Sequence, residues 1–555
     1  MREAWRSLRA NHPELIEDVA DGKRLIWLGS GISRDQVPDL VELIARILRF
    51  LRDRAGSGQP DAGSHSEALL EILDDHLPDE RSRYESDPTG WEPMSLEALR
   101  ERYSRVLGVG VTGKANDYLL IEGAGLPDLY GSPSLVPGPT HELLAMLISE
   151  GVAANLASAN WDGLVEKALE GISATNGLLD VYVDVNDPRD AHGNAEIAKF
   201  HGCAVLTRND PARYRDKIIA TPAQISRLHG DDSYAHMRDH LRELTTRNRS
   251  LVLGLSVQDS DLLAIFQSSA NRSPWSWDTS HPAYLFAEPA VLPGQRDVLE
   301  VVYGEDFGRE RPNILERSAL GSYAGPITAA LLIEVLASKL AAALRRHQDL
   351  SAHALDGLER GIRRLVLRIV VAFGRDEKSL AAFLLGGYSD FLKTYFGNSI
   401  VAGAKYTPFA RGTKSQVGTD FAVVAMGADL LGVAVGMIGL GEKSGRWRVS
   451  LNDEQRGSRI SLRRPGSSNV ATMVVVHGAR EAIDALACAD WISGQGNMVL
   501  LQMEVGSVAS VRSPGGRIGR GRKARTRREL AWADLSDSIT DVDELMVRFE
   551  SGAGL

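Results

Sequence analysis

Cysteine is scarce in this sequence, and its scarcity excludes two kinds of protein. The 555 residues include two cysteines, Cys203 and Cys488. Two thiols form at most one disulfide, so the chain is not a disulfide-stapled secreted scaffold, and they cannot supply the ligands of a Cys₄ zinc site. Such a composition is typical of a reducing compartment, and we expect a cytoplasmic protein.

An excess of positive charge is also missing. The chain has 63 Lys and Arg against 73 Asp and Glu, which gives a formal net charge of −10. A mildly acidic chain is not a general binder of polyanions, so contact with nucleic acid requires a local basic patch. The first residues, Met1 to Arg6, contain no apolar run, and we expect no signal peptide.

One stretch has the length and apolarity of a membrane span. Phe421 to Gly441 contains a single charge, Asp429, and five glycines. A charge in the middle of the segment and repeated glycines argue against insertion into a bilayer. We therefore predict a soluble hairpin, with a turn at Gly427-Ala428-Asp429 and strands at 421–426 and 431–438.

Strand and helix patterns alternate through the first 290 residues. Apolar runs predict strands at Lys23–Leu28, Ala153–Ser158, Glu196–Phe200, Leu251–Leu255 and Ala283–Ala287. Helical spacing follows at 40–51, 140–148 and 164–169, and the turn-forming residues 52–66 predict a loop that opens an insertion. This alternation predicts an α/β domain with a Rossmann-like parallel sheet and helices on both faces.

The second half has a different pattern. Residues 327–373 are rich in Ala and Leu and predict helices. Later apolar runs predict strands at 447–451, 460–462, 471–476 and 498–505, with a helix at 480–492. We therefore divide the chain into an α/β domain at 1–300, a helical connector at 301–375 and an α+β domain at 376–555.

Residues 511–528 form the local basic patch that the overall charge does not provide. They carry eight Arg and Lys, four glycines and no acidic residue. Such a flexible segment could follow a nucleic-acid backbone. A solvated segment that touches nothing is the alternative.

Two short motifs follow the first two strands. Gly29-Ser30-Gly31-Ile32-Ser33 is typical of a turn whose backbone N–H groups approach a pyrophosphate, although a tight turn without a ligand would look the same. Asn160-Trp161-Asp162 places an amide and a carboxylate at the carboxyl end of a strand, where ligands bind in parallel sheets. Capping of the next helix is the alternative interpretation of this second motif.

Later motifs add a base and small polar groups. His201-Gly202 and His229-Gly230 each combine an imidazole that titrates near neutral pH with a glycine that permits close approach, so either histidine could act as a general base. Gly254-Leu255-Ser256 ends the fourth predicted strand and could bind a ribose hydroxyl, or could simply end the strand.

In this order the motifs resemble the sirtuin-type (silent information regulator) NAD-binding fold, in its bacterial NAD-hydrolase branch. The resemblance covers roughly residues 15–290. It rests on the phosphate-loop pattern at 29–33, Pro-x-His at Pro139-Thr140-His141, Asn-x-Asp at 160–162, His-Gly at 201–202 and Gly-x-Ser at 254–256.

The resemblance implies a site with NAD⁺ across the carboxyl edge of the sheet. Gly29, Ser30, Gly31 and Ser33 would hold the pyrophosphate, and Gly254 and Ser256 would lie at a ribose. Asp162 would hold the nicotinamide carboxamide, Asn160 the ribose or the attacking water, and His201 would be the general base. His201 is preferred to His229 because a predicted strand ends just before it, as in the family.

Two departures from the family pattern bear on the choice between deacylation and hydrolysis. Sirtuin deacylases carry a Cys₄ zinc module after the catalytic histidine, and Cys203 is the one cysteine in that part of this chain. The family's Pro-Asp-Phe-Arg is reduced to Pro38-Asp39-Leu40. We therefore expect no zinc or other metal, and an NAD⁺ hydrolase rather than a protein deacylase.

The family also implies a biological setting. Bacterial members of this branch act mostly in antiphage abortive infection, in which depletion of NAD⁺ arrests the infected cell. The C-terminal half would then be the regulator, bound to a short prokaryotic Argonaute. The alternatives are assembly with a HerA-like ATPase, gating by a nucleotide signal, and a non-catalytic module that senses NAD or ADP-ribose. We expect an oligomer without a membrane anchor.

Overall fold

The structure is a computed structural model of the chain. It describes residues 1–94, 96–187, 193–257, 260–397, 403–420, 426–451, 459–467, 470–478, 497–504, 527–537 and 541–555. The predicted helix at 480–492 and the basic residues 511–526 lie outside the described residues.

A six-stranded parallel sheet forms the centre of the N-terminal half. Its strands are β1 (Arg24–Leu28), β2 (Asn155–Ser158), β3 (Leu179–Tyr182), β4 (Ala195–Lys199), β5 (Arg249–Leu253) and β6 (Tyr284–Phe286). They lie in the order β3-β4-β2-β1-β5-β6, and all neighbours are parallel. The chain extends the sheet from β1 first on one side and then on the other. Ligands of open parallel sheets bind at such a point, beside the carboxyl ends of the strands.

Helices cover both faces of this sheet, so the predicted α/β class is confirmed. The α-helices of this half are Arg2–Asn11, Pro13–Ala20, Leu40–Ala55, Ala62–His76, Pro78–Ser86, Tyr103–Leu107, Leu126–Tyr130, Pro139–Ser149, Leu164–Ile172, Ala204–Asn209, Pro211–Tyr214, Pro222–Gly230, Ala235–Arg247, Ser260–Arg272, Pro293–Tyr303 and Glu305–Ser318.

Strand β1 shows why both faces are covered. All five of its residues are buried. Leu25 and Trp27 belong to one hydrophobic cluster, whereas Ile26 and Leu28 belong to another. Because successive side chains of a strand point to opposite faces, a continuous apolar run requires a hydrophobic layer on each side.

The C-terminal half combines helices with a second sheet. Its helices are Ala324–Leu344, Ala352–Phe373, Glu377–Phe383, Ser389–Phe396, Lys414–Val417, Ala428–Lys443, Trp532–Ser536 and Val542–Ala553. Its strands are β7 (Arg448–Ser450), β8 (Ile460–Arg463), β9 (Val470–Val476), β10 (Asn497–Gln502) and β11 (Arg527–Ala531). The sheet has the order β11-β10-β9-β8-β7, and it is mixed, because β9 is parallel to β10 and antiparallel to β8.

One hydrophobic core continues across the two halves. A single cluster contains Trp5 of the first helix and Phe549 of the last. Helix Ala324–Leu344 runs through this core, and most of its residues are buried. The predicted domain limits at 300 and 375 stay predictions, since this shared core does not mark them.

The predicted hairpin at 421–441 is wrong. Gly427, with φ +74°, begins a helix at Ala428–Lys443, and residues 421–425 lie outside the described residues. A Cβ on Gly439 would clash with the carbonyl oxygen of Gly361 in the neighbouring helix. The glycines that suggested turns therefore allow two helices to approach closely, which local sequence does not reveal.

The apolar helix of the structure lies elsewhere in the chain. Among the described residues, one helix, Ala324–Leu344, is long and apolar enough to cross a membrane, and 78% of its most apolar window is buried inside the protein. Burial of this kind is typical of a core helix in a soluble protein.

Smaller differences concern the boundaries of two helices and two strands at sheet edges. Helix Leu40–Ala55 extends into the predicted loop 52–66, and helix Ala62–His76 begins inside it. Strands β3 and β11 were not predicted. Both are edge strands of their sheets, and edge strands tolerate the polar and charged residues that conceal a strand in the sequence.

Candidate active site

The predicted site motifs come to the same edge of the first sheet. Ser158 of β2 pairs with Leu28 of β1 and with Lys199 of β4. Residues that follow paired positions of parallel strands leave the sheet at the same edge. Asn160 and His201 each follow such a position by two residues.

The turn after β1 packs directly on the end of β5. The Gly31 N–H donates to the carbonyl oxygen of Gly254 over 2.9 Å. A Cβ added to Gly29 would lie 2.5 Å from the same oxygen, and one added to Gly31 would lie 2.8 Å from the Gly254 Cα. Gly254 has φ +66°. The contact of two backbones therefore requires all three glycines.

Much of the hydrogen-bonding capacity of this turn is used internally. Four of its N–H groups donate to carbonyl oxygens of the chain, namely those of Gly29, Gly31, Ile32 and Ser33. Ser30 and Gly31 are exposed at the surface of the turn. Binding of a pyrophosphate at 29–33 stays a prediction, and it depends on that exposed surface.

Ser33 joins three side chains of the site. Its hydroxyl donates to Asp162 Oδ2 over 2.8 Å and accepts from Asn160 Nδ2 over 3.3 Å. The same oxygen lies 3.1 Å from His141 Nε2. A hydroxyl has one hydrogen and two lone pairs, so these three partners use its full capacity.

The backbone fixes the protonation of His141. The Gly138 N–H donates to His141 Nδ1 over 3.1 Å, so the ring hydrogen is on Nε2 and points to Ser33. Burial lowers the pKa of His141, although the Asp162 carboxylate acts in the opposite direction. His141 is therefore a neutral member of the frame.

In the side-chain amide of Asn160, the nitrogen is hydrogen-bonded, whereas the oxygen lacks a partner among the described residues. Its Nδ2 donates to the carbonyl oxygen of Gly29 over 3.2 Å as well as to Ser33. Among the described residues its Oδ1 has no hydrogen-bond partner, and Asn160 is buried, with an exposed fraction of 7%. A buried acceptor without a partner carries a desolvation cost of about 1–3 kcal/mol, so it needs a ligand or water to explain it.

Asp162 is held by both neighbouring elements. Its Oδ1 accepts from the Leu164 N–H over 3.1 Å at the start of helix Leu164–Ile172, so the capping alternative applies to Asp162 in part. Its carbonyl oxygen accepts from the buried Lys199, which also pairs with Glu166 at 2.9 Å. Asp162 thus has a fixed orientation.

His201 is buried at the end of β4. Its ring packs edge-on against Phe200, with 4.7 Å between the centroids, and its carbonyl oxygen accepts from the Ile219 N–H over 3.1 Å. Gly202 has φ +85°, and a Cβ there would lie 2.7 Å from the Lys217 carbonyl oxygen. His229 lies in helix Pro222–Gly230.

The segment after β5 is fixed by the helix Pro293–Tyr303. Gln295 accepts from the Leu292 N–H over 3.0 Å and donates to the Leu255 carbonyl oxygen over 2.9 Å. Ser256 is half-buried in this segment, and Val257 adopts a left-handed φ of 55°. The second glycine-containing turn is therefore as constrained as the first.

Sequence reasoning gave no role to three residues that shape the site. His141 was part of a family motif without an assigned contact, and its partner Ser33 is 108 residues away. Lys199 stood out as a cation in an apolar predicted strand, which could have identified it. Gln295 had no distinguishing pattern.

Within the described part of the chain, no group of three or more His, Cys, Asp and Glu side chains could hold a metal ion. Burial raises the pKa of the Cys203 thiol. Cys203 therefore lacks the thiolate character of a nucleophile.

Comparison with known proteins agrees with this geometry. Residues 155–303 match the family model of the SIR2-like domain, which covers β2 to helix Pro293–Tyr303 and includes Asn160, His201 and Gly254. No curated protein matches the chain. SIR2-like domains generally use NAD⁺ in their chemistry. This match identifies residues 155–303 as a SIR2-like domain of the sirtuin type.

Proposed function

We propose that the protein is an NAD⁺ glycohydrolase that releases nicotinamide and ADP-ribose. The observation that carries this proposal is the Oδ1 of Asn160, which lies buried beside the 29–33 turn without a partner in the described part of the chain and is oriented by Gly29 and Ser33. An oriented amide oxygen of this kind suits a bound water or a ribose hydroxyl, both of which can donate a hydrogen bond to it.

The reaction would consume one water. The water oxygen bonds to C1′ of the nicotinamide ribose, the C1′–N bond breaks, and its electron pair leaves with neutral nicotinamide. Asn160 would hold the water or a ribose hydroxyl, and His201 would accept the proton. Asp162 would bind the carboxamide. General-base help of this kind typically contributes about 10²–10⁴-fold.

Two sequence features of the family's deacylases are missing here, and we therefore favour hydrolysis over deacylation. The sequence has too few cysteines for the family's zinc module, and Pro38-Asp39-Leu40 lacks the aromatic and Arg of the deacylase motif. In this protein Asp39 caps helix Leu40–Ala55 through the Glu42 N–H at 2.9 Å. That use of the segment is structural.

A regulated toxic effector is the biological role that fits this activity. We propose that it acts in the cytoplasm, in antiphage abortive infection, with the C-terminal half bound to a short prokaryotic Argonaute and residues 511–528 near nucleic acid. Assembly with a HerA-like ATPase or gating by a nucleotide signal would use the same half. Either arrangement is compatible with an oligomer.

The proposal is tested by incubating the full-length protein with NAD⁺, with and without its co-expressed genomic neighbours. Chromatography of the reaction measures the loss of NAD⁺ and the appearance of nicotinamide. Asn160→Ala and His201→Ala should abolish turnover. Asn248→Ala and His281→Ala, which change the same residue types away from the site, should not. NAD⁺ binding without turnover in every preparation would instead support the non-catalytic sensing module.

A further inference from the structure

A buried ion pair joins the two halves of the chain. Lys339 Nζ lies 2.6 Å from Glu150 Oε2, and both side chains are completely buried. The same ammonium donates to the Glu150 carbonyl oxygen over 2.9 Å and to that of Ala410. Its three hydrogens are therefore all used.

The other oxygen of Glu150 is also held by the C-terminal half. Its Oε1 accepts from the Tyr406 hydroxyl over 2.8 Å and from the Phe409 N–H over 2.9 Å. The Gly412 N–H donates to the Glu150 carbonyl oxygen over 3.1 Å. Every partner described here belongs to helix Ala324–Leu344 or to residues 403–413, so the Glu150 side chain is held by the C-terminal half of the chain.

Glu150 directly follows the helix Pro139–Ser149, which carries His141 near its other end. A helix of this length is a rigid rod of roughly 16 Å. Its first turn also meets the C-terminal half, because a Cβ added to Gly325 would lie 3.0 Å from Thr140 Oγ1. Helix Ala324–Leu344 therefore contacts both ends of the rod, at Gly325 and at Lys339.

We propose that Glu150 and Lys339 are positioning residues, through which the C-terminal half sets the geometry of the site. They hold the helix Pro139–Ser149, the helix holds His141, and His141 orients Ser33, which contacts Asn160 and Asp162. The catalytic consequence rests on the proposed function, but the mechanical link does not.

The link is sensitive to small movements. His141 Nε2 and Ser33 Oγ are 3.1 Å apart, and a hydrogen bond is lost near 3.6 Å. A shift of the helix by less than one ångström along this contact would break the hydrogen bond between His141 and Ser33. A partner that moves helix Ala324–Leu344 could thus change the site without touching it.

Hydrogen–deuterium exchange of the full-length protein tests the link without requiring activity. The variants are Glu150→Gln and the charge-balanced double variant Glu150→Gln/Lys339→Met. The matched control is Glu442→Gln, a buried glutamate that pairs with Arg368 at 2.8 Å inside the C-terminal half. We expect at least about tenfold faster exchange in peptides covering 138–150 and 26–36 in both variants, and no change there in the control.

A second pair of variants tests the same link without changing a buried charge. Gly325→Ala should push on Thr140 and raise exchange at 26–36, whereas Gly308→Ala, with open space around its Cβ, should not. Where the wild type hydrolyses NAD⁺, the positioning variants should lower kcat by about 10- to 100-fold.

The outcomes separate the two proposals. Faster exchange confined to 403–413, or equal changes in the Glu442→Gln control, would overturn the positioning link. Faster exchange at 26–36 in a protein that never consumes NAD⁺ would support the link and remove the proposed function. Loss of activity with unchanged exchange at 26–36 would also count against the link.

Discussion

The side-chain amide of Asn160 donates to the hydroxyl of Ser33 over 3.3 Å, across 127 residues of sequence. This bond joins the turn after β1 to the end of β2. Because Ser33 also contacts Asp162 and His141, its hydroxyl connects three polar side chains of the site. Ser33 is therefore central to the order of the site.

Ser33→Ala should uncouple the site without unfolding the protein. The change leaves Asn160 Nδ2, Asp162 Oδ2 and His141 Nε2 each with one partner fewer, so the free energy of unfolding should fall by about 1–3 kcal/mol. NAD⁺ turnover should fall by about 10²-fold, because the amide and carboxylate lose their orientation.

Ser269→Ala is the matched control for this prediction. Ser269 is equally buried, and its hydroxyl donates to the Ile265 carbonyl oxygen over 3.0 Å within one helix. Denaturant unfolding and NAD⁺ consumption should both be measured. Equal effects of the two serine variants on turnover would contradict the role given to Ser33.

Protonation of His141 should destabilise the protein in mild acid. Its pKa is lowered from 6.5 in the folded state by burial, so the unfolded chain binds the proton more readily. The free energy of unfolding should therefore be retained above about pH 6.5 and fall as the pH drops below it, by at most about 1.4 kcal/mol per pH unit.

Comparison with His141→Gln isolates this contribution. Glutamine does not titrate, so the variant should lose less stability than the wild type between pH 7 and pH 5. Urea unfolding at several pH values gives the difference directly. Parallel pH dependences of the two proteins would show that His141 is not the group responsible.

The sequence predicted the N-terminal half well because its signals are local. The run Leu25 to Leu28 is apolar throughout, and such runs between turn residues indicate strands covered on both faces. Parallel strands then bring the residues after them to one edge, which is why Gly29 and Asn160 were expected near each other. Their hydrogen bond of 3.2 Å agrees with that reasoning.

The structural features that we did not predict depend on residues that are far apart along the chain. Gly439 disfavours a helix locally, and its neighbour Gly361 is far away along the chain. Lys339 and Glu150 are 189 residues apart, so no spacing relates them. Helix Ala428–Lys443 and the junction at Glu150 are both products of tertiary packing, which overrides local propensity.

Gly361→Ala should destabilise the C-terminal half strongly. Its Cβ would clash with the Gly436 carbonyl oxygen and lie 2.7 Å from the Leu440 N, so two backbones would have to separate. Overpacking of this kind costs about 1–3 kcal/mol or more. The melting temperature, measured by calorimetry, should fall by several degrees.

Gly308→Ala provides the comparison for Gly361. Gly308 lies exposed in helix Glu305–Ser318 with nothing near its Cβ position, so alanine should be neutral or stabilise by up to about 1 kcal/mol. If Gly361→Ala lowered the melting temperature no more than Gly308→Ala, the result would contradict the close packing of helices Ala352–Phe373 and Ala428–Lys443.

The basic segment should set the salt dependence of nucleic-acid binding. Replacing its six cations between 512 and 525 with Gln removes positive charge and leaves Arg527 and Arg528, which begin β11. For single strands the slope of log K against log salt is about −0.7 per phosphate contacted, so the slope should become less steep by up to about 4.

A control with the same change in net charge makes this test decisive. Six exposed cations elsewhere can be replaced with Gln, namely Arg6, Lys23, Arg54, Arg247, Arg311 and Arg375. Binding of a fluorescent single-stranded oligonucleotide is titrated with salt for all three proteins. Because condensed counterions are released only where cations contact phosphates, the control should keep the wild-type slope. A slope that depends only on net charge would assign the binding to long-range attraction and leave 511–528 without a role.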